Sequence, residues 1–160
     1  MATEIERKFL VVGDEWRKSA IGTSYRQGYI FSDVRRTVRV RIAGEKGFLT
    51  IKGTAVGLVR PEFEYAIPTE DATLMLDTLC DRPLIEKTRH VLQQGDLTWE
   101  IDEFAGENQG LIVAEVELSD ENQPVELPSW IGPEVSHDPR YFNAALAKNP
   151  FSHWKEEARG

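Results

Sequence analysis

Like-signed charges two residues apart, with apolar or β-branched residues between and beside them, recur along this sequence: Glu4 and Glu6, Arg39 and Arg41, Glu62 and Glu64, Lys87 and Arg89, Glu100 and Asp102, Glu115 and Glu117. In an extended chain, residues two apart share a face. Each pair therefore gives its strand one charged face of a single sign and one apolar face. With 29 % of residues charged, such pairs arise often by chance, so their number carries no weight. Their segregation by sign does, because the wet face of an ordinary sheet mixes signs and nothing in solubility sorts charges strand by strand.

Hydrophobic periodicity predicts about eight strands at hairpin spacing. They are Glu4 to Val11, Tyr25 to Phe31, a hairpin over residues 37 to 52 turning at Ala43-Gly44-Glu45-Lys46-Gly47, Glu62 to Ile67, Leu84 to Val91, Leu97 to Phe104 and Leu111 to Leu118. Three helices are expected. Asp14 would cap one reaching Ala20, and Thr69 one reaching about Cys80, with Glu70 and Asp71 in its first turn. In the third, Asp138 is the N-cap, Pro139 the first helical residue and Arg140 to Lys148 the body, stopped by Asn149-Pro150. Pro124 to Pro133 reads as an irregular connection. The fold class is mainly antiparallel β within α+β: an eight-stranded closed β tunnel with a charged interior and helices packed outside. Val38, Val40, Ile42, Leu49, Ile51, Ile101, Val113 and Val116 would face outward, too apolar to meet water without cover.

Enclosed charge must be compensated by water, metal ions or a ligand, so an interior of this kind is a site rather than a core. The inward acids are Glu4, Glu6, Glu62, Glu64, Glu100, Asp102, Glu115 and Glu117; the bases are Lys8, Arg39, Arg41, Lys52, Lys87 and Arg89. Clustered Arg and Lys suit phosphate oxygens, and clustered carboxylates suit hard divalent cations. Together they describe a site for a metal-bound phosphate.

The chain has 160 residues and a net charge of −8, which by itself disfavours a polyanion partner such as duplex nucleic acid. Most of that excess lies outside the charged interior set, so it describes a solubilising exterior and not the site. The length fits one domain, taken as residues 1–160. No apolar run approaches a membrane span and the N-terminal residues lack the core of a signal peptide, so a cytoplasmic protein without membrane partners is expected. The single cysteine, Cys80, excludes an internal disulfide and reads as a buried thiol. His90, His137 and His153 sit in no nucleophile context, His90 pointing away from the face of Arg89, and no GxxxxGK[ST] loop is present. Trp16, Trp99, Trp130 and Trp154 read as packing residues.

Glu4-Ile-Glu-Arg-Lys8 resembles the ExExK signature of the CYTH superfamily, the triphosphate tunnel metalloenzymes. The resemblance continues through Arg26-Gln-Gly-Tyr-Ile30, Val38-Arg-Val-Arg41, Thr50-Ile-Lys-Gly53, Arg60-Pro-Glu-Phe-Glu-Tyr65, Glu86-Lys-Thr-Arg89, Trp99-Glu-Ile-Asp-Glu-Phe104 and Ala114-Glu-Val-Glu117. It implies an eight-stranded antiparallel tunnel and metal-dependent hydrolysis or rearrangement of a triphosphate, with two Mg²⁺ or Mn²⁺ ions. Carried onto this sequence, Glu4, Glu6, Glu115 and Glu117 are the metal ligands. Lys8, Arg39, Arg41, Lys52, Lys87 and Arg89 are the phosphate-binding bases, and Glu62, Glu64 and Asp102 are further tunnel acids. Glu4, Glu6, Lys8 and Glu117 form the catalytic set, while Glu100 lies towards the mouth. In relatives the C-terminal helix can plug one end; here it carries Phe142, Ala144 and Ala145 where a base might have met substrate, with Arg140 the nearest base.

Among family activities, cleavage of inorganic tripolyphosphate to pyrophosphate and phosphate is the leading expectation. The alternatives are a class IV adenylate cyclase, a thiamine or nucleoside triphosphatase, and a non-catalytic polyphosphate-binding module. The partner is a small-molecule triphosphate; monomer and homodimer both stay open.

Overall fold

The computed structural model of the chain describes residues 3–154. Eight antiparallel strands form the wall: β1 (Thr3–Val11), β2 (Ile21–Ser32), β3 (Thr37–Ala43), β4 (Lys46–Lys52), β5 (Val59–Ile67), β6 (Ile85–Gln94), β7 (Leu97–Phe104) and β8 (Ile112–Glu117). Neighbours run β5-β4-β3-β2-β6-β7-β8-β1, and β1 then pairs back with β5 through Thr3 opposite Pro61, Glu4 opposite Arg60 and Ile5 opposite Val59. The sheet is thereby closed into a cylinder, the seam between β1 and β5 being made by these three pairs. A short ninth strand, β9 (Ile131–Glu134), lies on β1 beyond the reach of β5. It begins inside the Pro-rich stretch expected to be irregular, Pro124 to Pro133, and ends one residue beyond it; Pro133 is tolerated there because β9 is an edge strand.

Register fixes which side chains face inward. Glu6 lies opposite Glu117 and Lys8 opposite Glu115. Glu115 lies opposite Glu100, Arg89 opposite Asp102, and Lys52 and Thr50 opposite Glu62 and Glu64. The alternation read from the sequence is thus the alternation of the wall. Most of the apolar faces turn outward under cover. Phe9, Trp99, Ile101, Ala114 and Val116 are buried beneath Trp16 and Trp130, with Trp99 edge-on to Trp130 at 5.5 Å. Val40 is buried under Ala72 and Leu76 of helix α1 (Thr69–Thr78).

Val113 departs from the expected outward set. It shares the parity of Glu115, so it points inward, where it packs with Ile85, Phe104, Leu111 and Leu146. At that end the inward faces change from charged to apolar because helix α2 (Asn143–Lys148) supplies Leu146 to cover them.

The predicted helix over Arg140 to Lys148 is two pieces. Asp138 accepts a hydrogen bond from the Arg140 N–H and caps a 3₁₀ turn over Pro139–Tyr141; Phe142 is extended, and α2 follows. The Asp14 helix is likewise a 3₁₀ turn, Glu15–Lys18, that buries Trp16. Pro68, not Thr69, occupies the cap position of α1. Trp154, read as a packing residue, stacks edge-on against Tyr141 and Phe151. Cys80 is half-buried instead of buried, because it sits in the connection laid over β2, where only Gly28 permits the approach. A Cβ on Gly28 would stand 2.7 Å from Leu84 Cδ2 and 2.8 Å from Cys80 Cβ. Gly28→Ala is therefore expected to lower stability by about 1–3 kcal/mol, the usual cost of overpacking, read as a lower urea midpoint with an unchanged slope. Among the described residues no helix is long and apolar enough to cross a membrane.

Candidate active site

The cylinder encloses a cavity of about 1080 Å³. Its cationic wall is built by β3, β4, β5 and β6, which contribute Arg39, Arg41, Lys52, Arg60 and Arg89. Its anionic wall comes from Glu4 and Glu6 on β1, Glu115 and Glu117 on β8 and Glu100 on β7, with Glu62 and Glu64 of β5 between the two. Nearly every residue singled out by alternation is therefore brought into one space. Glu100 shares it, paired with Arg89.

Three expected site residues lie behind this surface. Asp102 is buried and bridges two bases: it accepts from Lys87 Nζ at 2.7 Å and from Arg89 Nε and one terminal nitrogen at 2.8 and 2.9 Å. The Lys87 side chain is 0 % exposed, and its second acceptor is Asn143 Oδ1 at 3.0 Å. Lys8 is paired with Glu115 at 3.3 Å, donates to the Tyr141 carbonyl at 3.3 Å and lies under the Phe142 ring. Asp102 is thus a strut that fixes Arg89, whose third contact is Glu100 at 3.1 Å.

The sequence reading passed over four further residues. Arg60 has the parity of Glu62 and Glu64, so its inward direction was readable; its Nε donates to the Gly53 carbonyl at 2.8 Å. Tyr25 was hidden by being uncharged. Its ring lies 4.9 Å from the Arg41 guanidinium and 5.0 Å from that of Arg89, a cation–π floor between two like charges. Gln27 and Asn143 carry no charge either and enter below. His90, as expected, faces outward, stacked on Trp16.

The electrostatics follow from this packing. Burial pushes the Glu4 carboxyl up, but the hydrogen bond with Glu62 and the Lys52 ammonium, 2.9 Å away, hold it at about 2. The hydrogen bond to Glu4, together with burial, pushes Glu62 up to about 7. Burial and the neighbouring Glu115 and Glu4 drive Glu6 well above the carboxylate range. Burial acts the same way on Glu115, but Lys8 and Arg89 overcome it and hold that carboxyl well below its ordinary value. Across the lumen, burial with Arg39 and Arg89 nearby lowers Arg41 to about 9, still a cation at neutral pH. Burial together with Arg89 and Arg41 lowers Lys87 to about 7. Arg39 keeps a buried Nε with no hydrogen-bond partner in the protein. Carboxylates thus crowd one wall and cations the other, joined by the Glu4–Lys52, Glu115–Lys8 and Arg89–Glu100 pairs, a distribution that an anion on one side and a cation on the other would relieve.

The sequence matches the CYTH domain over residues 2–142. It belongs to the CYTH family. The chain is 53 % identical over 156 residues to the inorganic triphosphatase of Acetivibrio thermocellus, covering 98 % of this chain and all of that one. It is 38 % identical over 151 residues to the inorganic triphosphatase of Nitrosomonas europaea, covering 91 % and 97 % of the two chains. Among solved structures, that of the inorganic triphosphatase NE1496 superposes with a TM-score of 0.65 at 35 % identity, over 92 % of this chain and 95 % of that one. The triphosphate tunnel enzymes of this family are metal-dependent. Among the described residues no three carboxylates or histidines stand close enough together to hold an ion as they are, and Glu4 and Glu115 are each engaged by a lysine.

Proposed function

We propose that this CYTH protein hydrolyses inorganic tripolyphosphate to pyrophosphate and phosphate inside the cylinder, residues 1–160 acting as one functional unit. The observation that carries this reading is the division of one cavity into an arginine and lysine wall and a carboxylate wall. Full-length relatives with that activity support it. The donor set fits a divalent metal: Glu6 stands opposite Glu117 in register, burial, Glu115 and Glu4 oppose the ionisation of Glu6, a crowding of carboxylates that a cation would relieve, and all the oxygens are hard. Glu4, Glu6, Glu115 and Glu117 would hold Mg²⁺ or Mn²⁺, two ions suiting four carboxylates. When bound, such ions neutralise phosphate charge and acidify water.

The chain's own part is to position and to stabilise. Arg39, Arg41 and Arg89 present planar donors to the non-bridging phosphate oxygens, and Lys52 adds a point charge. Held in line, the terminal phosphorus is attacked by water while its bond to the bridging oxygen breaks and pyrophosphate departs with that oxygen. Negative charge that spreads over the equatorial oxygens meets guanidinium groups already fixed by Asp102 and Tyr25, so little reorganisation accompanies the reaction. No side-chain nucleophile is needed. Glu62 and Glu64 offset the bases before substrate arrives, Glu64 through the Thr50 hydroxyl that also meets Arg39.

Purified protein with Mg²⁺ or Mn²⁺ is expected to release equal amounts of phosphate and pyrophosphate from tripolyphosphate, and chelation by EDTA to stop the release. Phosphate, pyrophosphate and cyclic AMP monitored together decide the matter: cyclic AMP from ATP with tripolyphosphate left intact would make the protein a cyclase, and binding without turnover would make it a module.

A further inference from the structure

We propose that Asn143, the first residue of α2, and Gln27 of β2 are positioning residues for the phosphate-binding bases, tying Lys87 and Arg41 into one relay whose integrity sets affinity for the triphosphate. Gln27 Oε1 accepts from Arg41 Nε at 2.8 Å. Gln27 Nε2 donates to Asn143 Oδ1 at 3.3 Å, and the same Oδ1 accepts from Lys87 Nζ at 3.0 Å. The two ends of this chain are donors only, so both amides have a forced orientation: oxygen of Gln27 to Arg41, oxygen of Asn143 to Lys87. Gln27 is 0 % exposed, and a buried amide satisfied at both ends has one geometry rather than several.

The arrangement solves a specific problem. Arg41 and Lys87 carry like charge and flank the same Tyr25 ring, with Lys87 5.9 Å and Arg41 4.9 Å from its centre. Two neutral amides join them without adding a carboxylate that would compete with phosphate. The Arg41 Nε is used up, which leaves its terminal nitrogens for the lumen. Lys87, held by Asp102 and Asn143, is kept behind the surface. Because Asn143 belongs to the segment after β9 and not to the wall, the seating of α2, through Leu146 on Ile85, Phe104 and Val113, determines whether the relay is complete.

This inference rests on the phosphate-binding reading of Arg41, so its test is made on protein first shown to hydrolyse tripolyphosphate. If the wild type fails there, the reading falls; if the wild type succeeds and the variants below match it, only the relay falls. Asn143→Asp keeps shape and both acceptor contacts but places an anion beside the bases. It is expected to melt no lower than wild type while KM for tripolyphosphate rises about tenfold or more, with kcat changed far less. Asn143→Leu, which retains apolar contact and removes the acceptor, is expected to raise KM by about threefold to tenfold, and so is Gln27→Met. Their double variant should lose less than the product of the two, since one relay is cut twice. A KM for Asn143→Asp equal to wild type, or strictly multiplicative losses in the double variant, overturns the proposal. Should Asn143→Asp melt lower than wild type, calorimetric titration of Asn143→Leu with tripolyphosphate takes its place, and an unchanged Kd counts against the relay.

Discussion

Asp102→Ala is expected to destabilise the protein by about 3–5 kcal/mol, because it removes the acceptor shared by two buried bases and leaves their charge uncompensated in the wall. Lys87 retains only the neutral Asn143, and Arg89 retains Glu100, which is one-third exposed and a weaker counter-charge. The loss has a pH signature. Burial would push the Asp102 carboxyl up, but Arg89 and Lys87 hold it far below the value near 3.9 that it has in an unfolded chain. A carboxyl depressed in the folded state contributes stability that is complete above its unfolded value and is lost as pH falls through the folded one. The carboxylate's own part of the gap between wild type and Asp102→Ala should therefore be complete above about pH 5 and be lost progressively below about pH 4, measured by urea denaturation at each pH. A gap that stays constant down to pH 3 would mean that the carboxylate is not the source of the stability.

Glu6→Gln should do the opposite to stability and more to activity. Burial, Glu115 and Glu4 all oppose ionisation of Glu6, so in metal-free protein its carboxylate works against folding at neutral pH. An acid raised in the folded state lowers stability as pH climbs from its unfolded value near 4.3 towards its folded one. Removing the charge is expected to add about 0.5–2 kcal/mol in the absence of divalent metal, with the gain disappearing near pH 4. With Mg²⁺ or Mn²⁺, kcat should fall by about 10²–10³, the usual scale for deleting one preorganised electrostatic contact to a transition state. KM should rise little, since the bases proposed to meet the phosphates are on the other wall. A fully active Glu6→Gln enzyme would remove Glu6 from the metal set.

Much of the wall was legible because charge on a strand records direction: Arg39-Val40-Arg41 and Glu115-Val116-Glu117 can be threaded through a cylinder in only one sense. What escaped the reading escaped for physical reasons. Tyr25, Gln27 and Asn143 act through a quadrupole and two amides, which leave no sign to follow. Val113 was assigned by hydrophobicity although its parity matched Glu115; the inward face turns apolar where α2 covers it, and only the packing of Leu146 marks that boundary. The break at Phe142 has no Gly or Pro at the position itself and arises where the ring is drawn over Lys8. Withdrawal of Lys8 and Lys87 behind the lumen was equally invisible, since inward direction does not specify how far a long side chain reaches.

The pairing that closes the cylinder has three described rungs between β1 and β5, whereas β6 and β7 share eight. Residues 3–5 must find residues 59–61 across more than fifty positions of chain, and β1 must find β8 across more than a hundred, both long-range contacts of the kind that form late. Glu4 is itself one of those rungs, and its carboxylate reaches across to Lys52 of β4. Hydrogen bonds within the hairpins can mature while the sheet is still an open ribbon, with Glu4 and Glu6 at one border and Glu62 and Glu64 at the other. The two walls come to face each other only when that ribbon meets itself, so the chain acquires its ring and its opposed charged walls in the same moment.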